Sequence, residues 1–341
     1  MMLLGYCGDA SLITEQDAHM LTHINVAFGK LLNDGSIDIS HLNMTENIAK
    51  IKAWNPAIQI AVSIVPAQGH ADSFTRCAAS ATLRAQVAAA SVVLVKRYGY
   101  DGVDFDWEFP CVPSNGMDSS PADRHNYTLL CRAVREALDA QCGGGLVTVA
   151  AGADLYYAES VELPELSDIL DYICLMTYDL KCGFHALAGH HTQLYSSTGD
   201  VFRNSCDQAL QLFHRYGVPK EKLIMGAAFY SRKWENVTNR NNGLLQISPK
   251  GGGYGPGYTD LAENWIDKQG YTRYWDDEAK APYLFDGSTF ISYDDEESLA
   301  HKAAYVRAQG YGGVFYWEHQ CDPSRRLLHT LYEGLQGAGA R

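Results

Sequence analysis

Short apolar runs recur along this chain with stretches of helical spacing between them, and that alternation limits the available folds more than any other feature. Residues 3–7, 23–29, 58–65, 101–110, 146–151, 172–178, 223–230 and 313–317 read as eight strands. Residues 80–98, 123–140, 204–216, 298–309 and 325–333 carry helical spacing, the first two stopped by Gly99 and by Gly143-Gly144-Gly145. Near-continuously apolar strands alternating with helices imply parallel strands covered on their outer face. Eight of them predict a closed α/β structure, a (β/α)8 barrel. A doubly wound open sheet is the alternative, but no glycine-rich phosphate loop follows the first strand. In such barrels the functional residues gather at the C-terminal strand ends.

The 341 residues exceed the about 250 such a barrel needs, so a modest insertion is expected. Residues 232–292 are aromatic-rich and contain the loop Gly251-Gly252-Gly253-Tyr254-Gly255-Pro256-Gly257. The expected organisation is therefore a barrel of residues 1–231 and 293–341, with 232–292 inserted between strands seven and eight. Aromatic side chains are wasteful on an exposed loop, so the insertion is expected to be more than a decorative surface loop.

The fourth run carries the chemistry. In Asp101-Gly-Val-Asp-Phe-Asp-Trp-Glu-Phe-Pro110, strand alternation puts Asp104, Asp106 and Glu108 on one face and Val103, Phe105 and Trp107 on the other. Acids that close disfavour joint ionisation, so at least one holds its proton well above the ordinary pKa. A protonated carboxyl beside an ionised one suits general-acid catalysis. A hard-cation site or a solvated strand end are the competing readings; the apolar opposite face argues against the latter, and no histidine or further acid is spaced to complete a metal shell. Asp101 is expected to anchor the strand start.

The net charge of −13, without a basic cluster, makes nucleic acid and anionic membranes poor partners. No apolar run is long enough to span a bilayer. The N-terminus enters a strand almost at once, without the layout of a signal peptide, so the expected location is the cytoplasm, or outside after removal of a leader. Nine cysteines are present. Cys7 and Cys174 read as buried thiols, while Cys174 with Cys182, or Cys131 with Cys142, are pairings the sequence leaves open. His190, His191 and His319 lack metal spacing and read as solvated loop residues.

The run Asp-Gly-Val-Asp-Phe-Asp-Trp-Glu resembles the signature of family 18 glycoside hydrolases, the chitinase family. Met176-Thr177-Tyr178-Asp179 and Gly312-Gly313-Val314-Phe315-Tyr316-Trp317-Glu318 resemble two further family motifs, in the right order. The resemblance runs from about Leu4 to Leu331, and it implies that residues 232–292 are a small α+β insertion forming one wall of a substrate cleft. It implies retaining, substrate-assisted hydrolysis of β-1,4 bonds between N-acetylglucosamine units, with no cofactor and no metal. Glu108 would be the acid and then the base, Asp106 the partner of the acetamido N–H, Asp104 its charge control and Tyr178 the holder of the acetamido oxygen. Trp317 would be the floor beneath the cleaved sugar. Tyr6, Phe28, Ser63, Met176, Asp179, Tyr230 and Arg232 match substrate-pocket positions, and Trp234 would line a more distant sugar site. The expected partners are chitin or N-acetylglucosamine oligomers, bound by a monomer. Where the family often has Ser-x-Gly-Gly, this chain has Ser63-Ile64-Val65-Pro66, so the next loop is expected to take another course. An endo-β-N-acetylglucosaminidase on glycoprotein glycans or peptidoglycan is the second enzyme reading. A chitin-binding lectin is a third, opposed by the intact Glu108.

Overall fold

The computed structural model describes residues 1–8, 12–43, 45–114 and 116–337. Eight strands form its centre: β1 (Met2–Cys7), β2 (His23–Leu31), β3 (Gln59–Pro66), β4 (Gly102–Phe105), β5 (Leu146–Gly152), β6 (Ile173–Met176), β7 (Leu223–Ala228) and β8 (Gly313–Trp317). Each pairs in parallel with the next, and β8 returns to β1, which closes the barrel. A short strand, Ile37–Asp38, pairs antiparallel with the end of β2.

The acid-bearing run shows why this sequence folds locally as it does. Helix Ala81–Tyr98 opens with the Leu83 amide donating to Ser80 Oγ and closes at Gly99, φ 79°, a left-handed position suited to glycine. The chain then reaches Asp101, whose carboxylate accepts from Lys52 Nζ at 2.6 Å and from the Ile60 amide at 2.7 Å. The strand start is thus anchored to its neighbour β3. A Cβ on Gly102 would overlap the Leu146 backbone, so only glycine lets β4 and β5 pair there. Strand β4 ends at Phe105, short of the expected residue 110, because the Asp106 amide makes a last bond to Ile64 O, at 3.0 Å, and the chain then leaves the sheet. Alternation persists past that point. Val103, Phe105 and Trp107 all lie buried in the layer between barrel and helices, with Trp107 stacked on Phe74 at 5.1 Å and edge-on to Tyr127 at 5.2 Å.

The other expected helices appear as Asp123–Cys142, Cys206–Arg215, Glu296–Gln309 and Arg326–Gln336. Helices Glu15–Met20, Thr45–Trp54, Ser73–Ala79, Leu155–Ser160 and Leu163–Ile169 were not expected; most are too short to show a helical period. Among the described residues no single helix is long and apolar enough to cross a membrane.

A second, antiparallel sheet runs in the order Gly253–Gly257, Tyr230–Trp234, Phe290–Ser292, Ala281–Phe285, Thr272–Asp276. It begins at Tyr230, two residues after β7 ends, so the barrel strand feeds straight into it. Its own small core holds Trp234, Val237, Tyr283, Phe285 and Phe290. Four of the ten aromatic residues of 232–292, Trp234, Tyr283, Phe285 and Phe290, are buried in this core.

Candidate active site

The register of three neighbouring strands builds the base of the site. Ser63 on β3 stands opposite Asp104 on β4, which stands opposite Thr148 on β5. All three point into the barrel and are fully buried. Ser63 Oγ donates to Asp104 Oδ2 at 2.7 Å, and Thr148 Oγ1 donates to Oδ1 at 2.7 Å. Tyr6, from β1, reaches across to donate its hydroxyl to Oδ2 at 2.8 Å. Burial raises the Asp104 pKa, and the three hydroxyl donors pull it back towards the ionised form. Thr148 was missed by sequence reasoning; a lone threonine within an apolar run is its only trace.

Above Asp104, Asp106 is almost fully buried, and its Oδ1 has no hydrogen-bond partner among the described residues. Burial, then the charges of Glu108 and Asp104, push its pKa well above the usual carboxylate range. Glu108 lies at the mouth, partly exposed. Burial, and secondly the charge of Asp179, push it up to about 7. The expectation that one acid of this column keeps its proton agrees with this geometry. Tyr178 stands beside the column; burial, then the Asp106 and Glu108 charges, keep its hydroxyl neutral.

A second carboxylate has the opposite environment. Asp179, at φ 56°, accepts from Arg232 Nε at 2.6 Å, from Arg232 Nη2, and from the Tyr230 hydroxyl at 2.7 Å. Its Oδ1 lies 3.5 Å from His191 Nδ1. Burial alone would raise this carboxyl, but the bonds to His191 and Arg232 outweigh it and hold Asp179 well below the usual range. A non-glycine residue in the left-handed region costs about 1–3 kcal/mol, and these contacts hold it there. Asp179, Tyr230 and Arg232 thus form one clamp, with His191 behind it.

Aromatic rings line the rest. Trp317 at the end of β8 stacks on Phe28 at 5.3 Å and lies 5.8 Å from Tyr6. Met176 and Tyr178 pack on the same interior cluster. Non-proline cis peptide bonds join Ala27 to Phe28, Glu108 to Phe109 and Trp317 to Glu318.

Some expectations need correction. Trp234 is fully buried in the core of the second sheet, with Nε1 donating to His185 O at 2.9 Å, so it presents no face to a sugar. His190, His191 and His319 are buried rather than solvated, each lying on an acid: the half-buried Asp276 and Asp179, and the buried Asp17. Cys131, Cys142, Cys174 and Cys182 are free thiols, so neither disulfide forms. No group of His, Cys, Asp and Glu among the described residues could hold a metal ion.

A parallel barrel whose strand ends gather acids of opposed protonation between aromatic walls defines a glycosidase type of site. The family model for glycosyl hydrolases family 18 matches residues 3–322. Chitinase A1 of Niallia circulans is 36% identical over 312 residues, covering 85% of this chain and 44% of the relative. A probable endochitinase of Caenorhabditis elegans is 31% identical over 324 residues, covering 87% of this chain and 51% of the relative. This chain thus spans about half the length of these relatives. Among solved structures, a family 18 N-acetylglucosaminidase from Paenibacillus barengoltzii superposes with a TM-score of 0.94 at 47% identity, covering 98% of this chain and 99% of that one. The chain belongs to glycoside hydrolase family 18.

Proposed function

We propose that this chain hydrolyses β-1,4 bonds between N-acetylglucosamine units of chitin or chito-oligosaccharides, with retention and with the substrate's own acetamido group as nucleophile. The observation that carries this is the column itself: Glu108 holds a proton up to about 7 directly above Asp106, whose buried Oδ1 lacks a donor. A sugar lying on Trp317 would place its acetamido N–H at that oxygen and its carbonyl at the Tyr178 hydroxyl. The acetamido oxygen attacks the anomeric carbon, the glycosidic C–O bond breaks, and Glu108 gives its proton to the departing oxygen. The Glu108 carboxylate then takes a proton from water. That water's oxygen bonds to the same carbon and opens the cyclic oxazolinium. Two inversions give retention. Asp106 and Glu108 reach the reacting carbon from one strand end, so neither is across the sugar to act as nucleophile.

A narrower reading is an enzyme that releases single N-acetylglucosamine units. It is favoured by the likeness to the N-acetylglucosaminidase at 47% identity over almost the whole of both chains. Product analysis on a ladder of N-acetylglucosamine oligomers separates the two: dimers and longer fragments mark the first, monosaccharide alone the second. Cleavage at a de-N-acetylated unit, or a sugar trapped covalently on a carboxylate, would refute substrate assistance. Absence of any cleavage would refute the proposal.

A further inference from the structure

We propose that Tyr254 receives the sugar on the leaving side of the broken bond, and so sets the affinity for the departing part of the substrate. This rests on the function proposed above. Tyr254 sits in the glycine run that reads as a loop, but residues Gly253–Gly257 form an edge strand against Tyr230–Trp234, with Tyr254 directly opposite Arg232. Opposed residues of an antiparallel pair project to the same side. The Arg232 guanidinium accordingly lies 3.7 Å from the Tyr254 ring centroid, and the Tyr230 ring is 5.8 Å away. One face of the ring is thereby fixed on the clamp. The residue nevertheless remains 72% exposed, and its neighbours Gly253 and Gly255 have no side chains to cover it.

Its position relative to the acid gives the direction. Ring contacts run from Trp317 to Tyr6, then Phe315, Tyr178, Tyr230 and Tyr254, each between 5.5 and 5.9 Å. Tyr178, beside Glu108 and Asp106, is in the interior of that row. With the cleaved sugar on Trp317, at one end of these contacts, and its scissile oxygen at Glu108, the leaving part of the saccharide is assigned to Tyr254, at the other end. A flat ring held rigid from behind is suited to stack on the apolar C–H face of a sugar at small conformational cost. Arg232 then serves two sites at once, bonding Asp179 through its nitrogens and supporting Tyr254 through its plane.

The test compares two substrates in the full chain. One is the N-acetylglucosamine pentamer, which has a leaving sugar; the other is the oxazoline of the N-acetylglucosamine dimer, which has none. Tyr254→Ala should lower kcat/KM on the pentamer about tenfold, mainly through KM, and change hydrolysis of the oxazoline by less than about threefold. Tyr254→Trp should restore the pentamer value. Equal losses on both substrates would mean that Tyr254 only steadies Arg232, and no loss on either would mean that it meets no sugar; each overturns the inference. A wild-type chain inert towards the pentamer would overturn the functional proposal, and this inference with it. Wild-type cleavage with no difference between substrates in the variant would overturn this inference alone.

Discussion

Two sets of carboxylates face the same cleft and are held in opposite ways. Asp104, Asp106 and Glu108 lie in a column among apolar walls, hydroxyl donors and one another, and each has its pKa raised, chiefly by burial. Asp179 has a guanidinium, a phenol and an imidazole around it, and its pKa is lowered despite burial. The residue type is the same; the sign of the shift follows from whether cationic and N–H donors or other acids surround the carboxyl. The two sets also interact, since the Asp179 charge is the second cause of the raised Glu108 pKa. A fixed negative charge therefore helps Glu108 keep its proton.

The largest effect is expected from Glu108→Gln, which keeps the shape but cannot donate a proton. Turnover on N-acetylglucosamine oligomers should fall on the order of 10²–10⁴. Near-normal turnover would remove Glu108 from its role and the column from the comparison. The same variant should be more stable than the wild type at alkaline pH. A carboxyl whose folded pKa is raised loses stabilising proton binding as pH climbs from its unfolded value, 4.5, to its folded value, about 7. Above that window the charged Glu108 costs on the order of 3 kcal/mol, and glutamine does not. Urea unfolding should show the two proteins matching near pH 4 and diverging by pH 8; parallel curves across this range would contradict the raised pKa.

The clamp gives a smaller effect. Arg232→Met leaves Asp179 partly buried without its principal partner, and stability at pH 7 should fall by roughly 2–3 kcal/mol in urea unfolding. A loss that vanishes only when Asp179 is also changed would locate the effect in the pair; an unchanged midpoint would show that the clamp is not held by this ion pair. Smaller still, Asp179→Asn removes the negative charge that supports the Glu108 proton. The alkaline limb of kcat/KM should then move to lower pH by a fraction of a unit. A shift upward would reverse the coupling described here.

The column was far more legible in the sequence than the clamp. Three acids alternating with Val103, Phe105 and Trp107 are a local pattern, and strand periodicity alone brings the acids together. Ser63 was also identifiable, but only through its likeness to the first residue of a family motif; the register that sets it opposite Asp104 came from the structure. Asp179 and Arg232 are 53 residues apart, and only the passage from β7 into the second sheet makes them meet. His191 looked like a loop histidine because nothing local reveals that Tyr230 and Asp179 enclose it. Trp234 was assigned to a sugar site, and Tyr254 to no role, for the same reason. Composition shows that an insertion is aromatic, but not which rings fill its core and which remain outside; glycine neighbours hid the exposed one.

The most direct test of the opposed carboxylates is a carbon-13 NMR titration of the folded chain labelled at glutamate and aspartate side-chain carboxyls, with Glu108→Gln and Asp179→Asn used to assign the two resonances. The geometry predicts a Glu108 signal titrating at about 7, while the Asp179 signal stays ionised throughout the range in which the protein remains folded. A Glu108 signal titrating at the usual 4.5, or an Asp179 signal titrating at or above its usual 3.8, would contradict it.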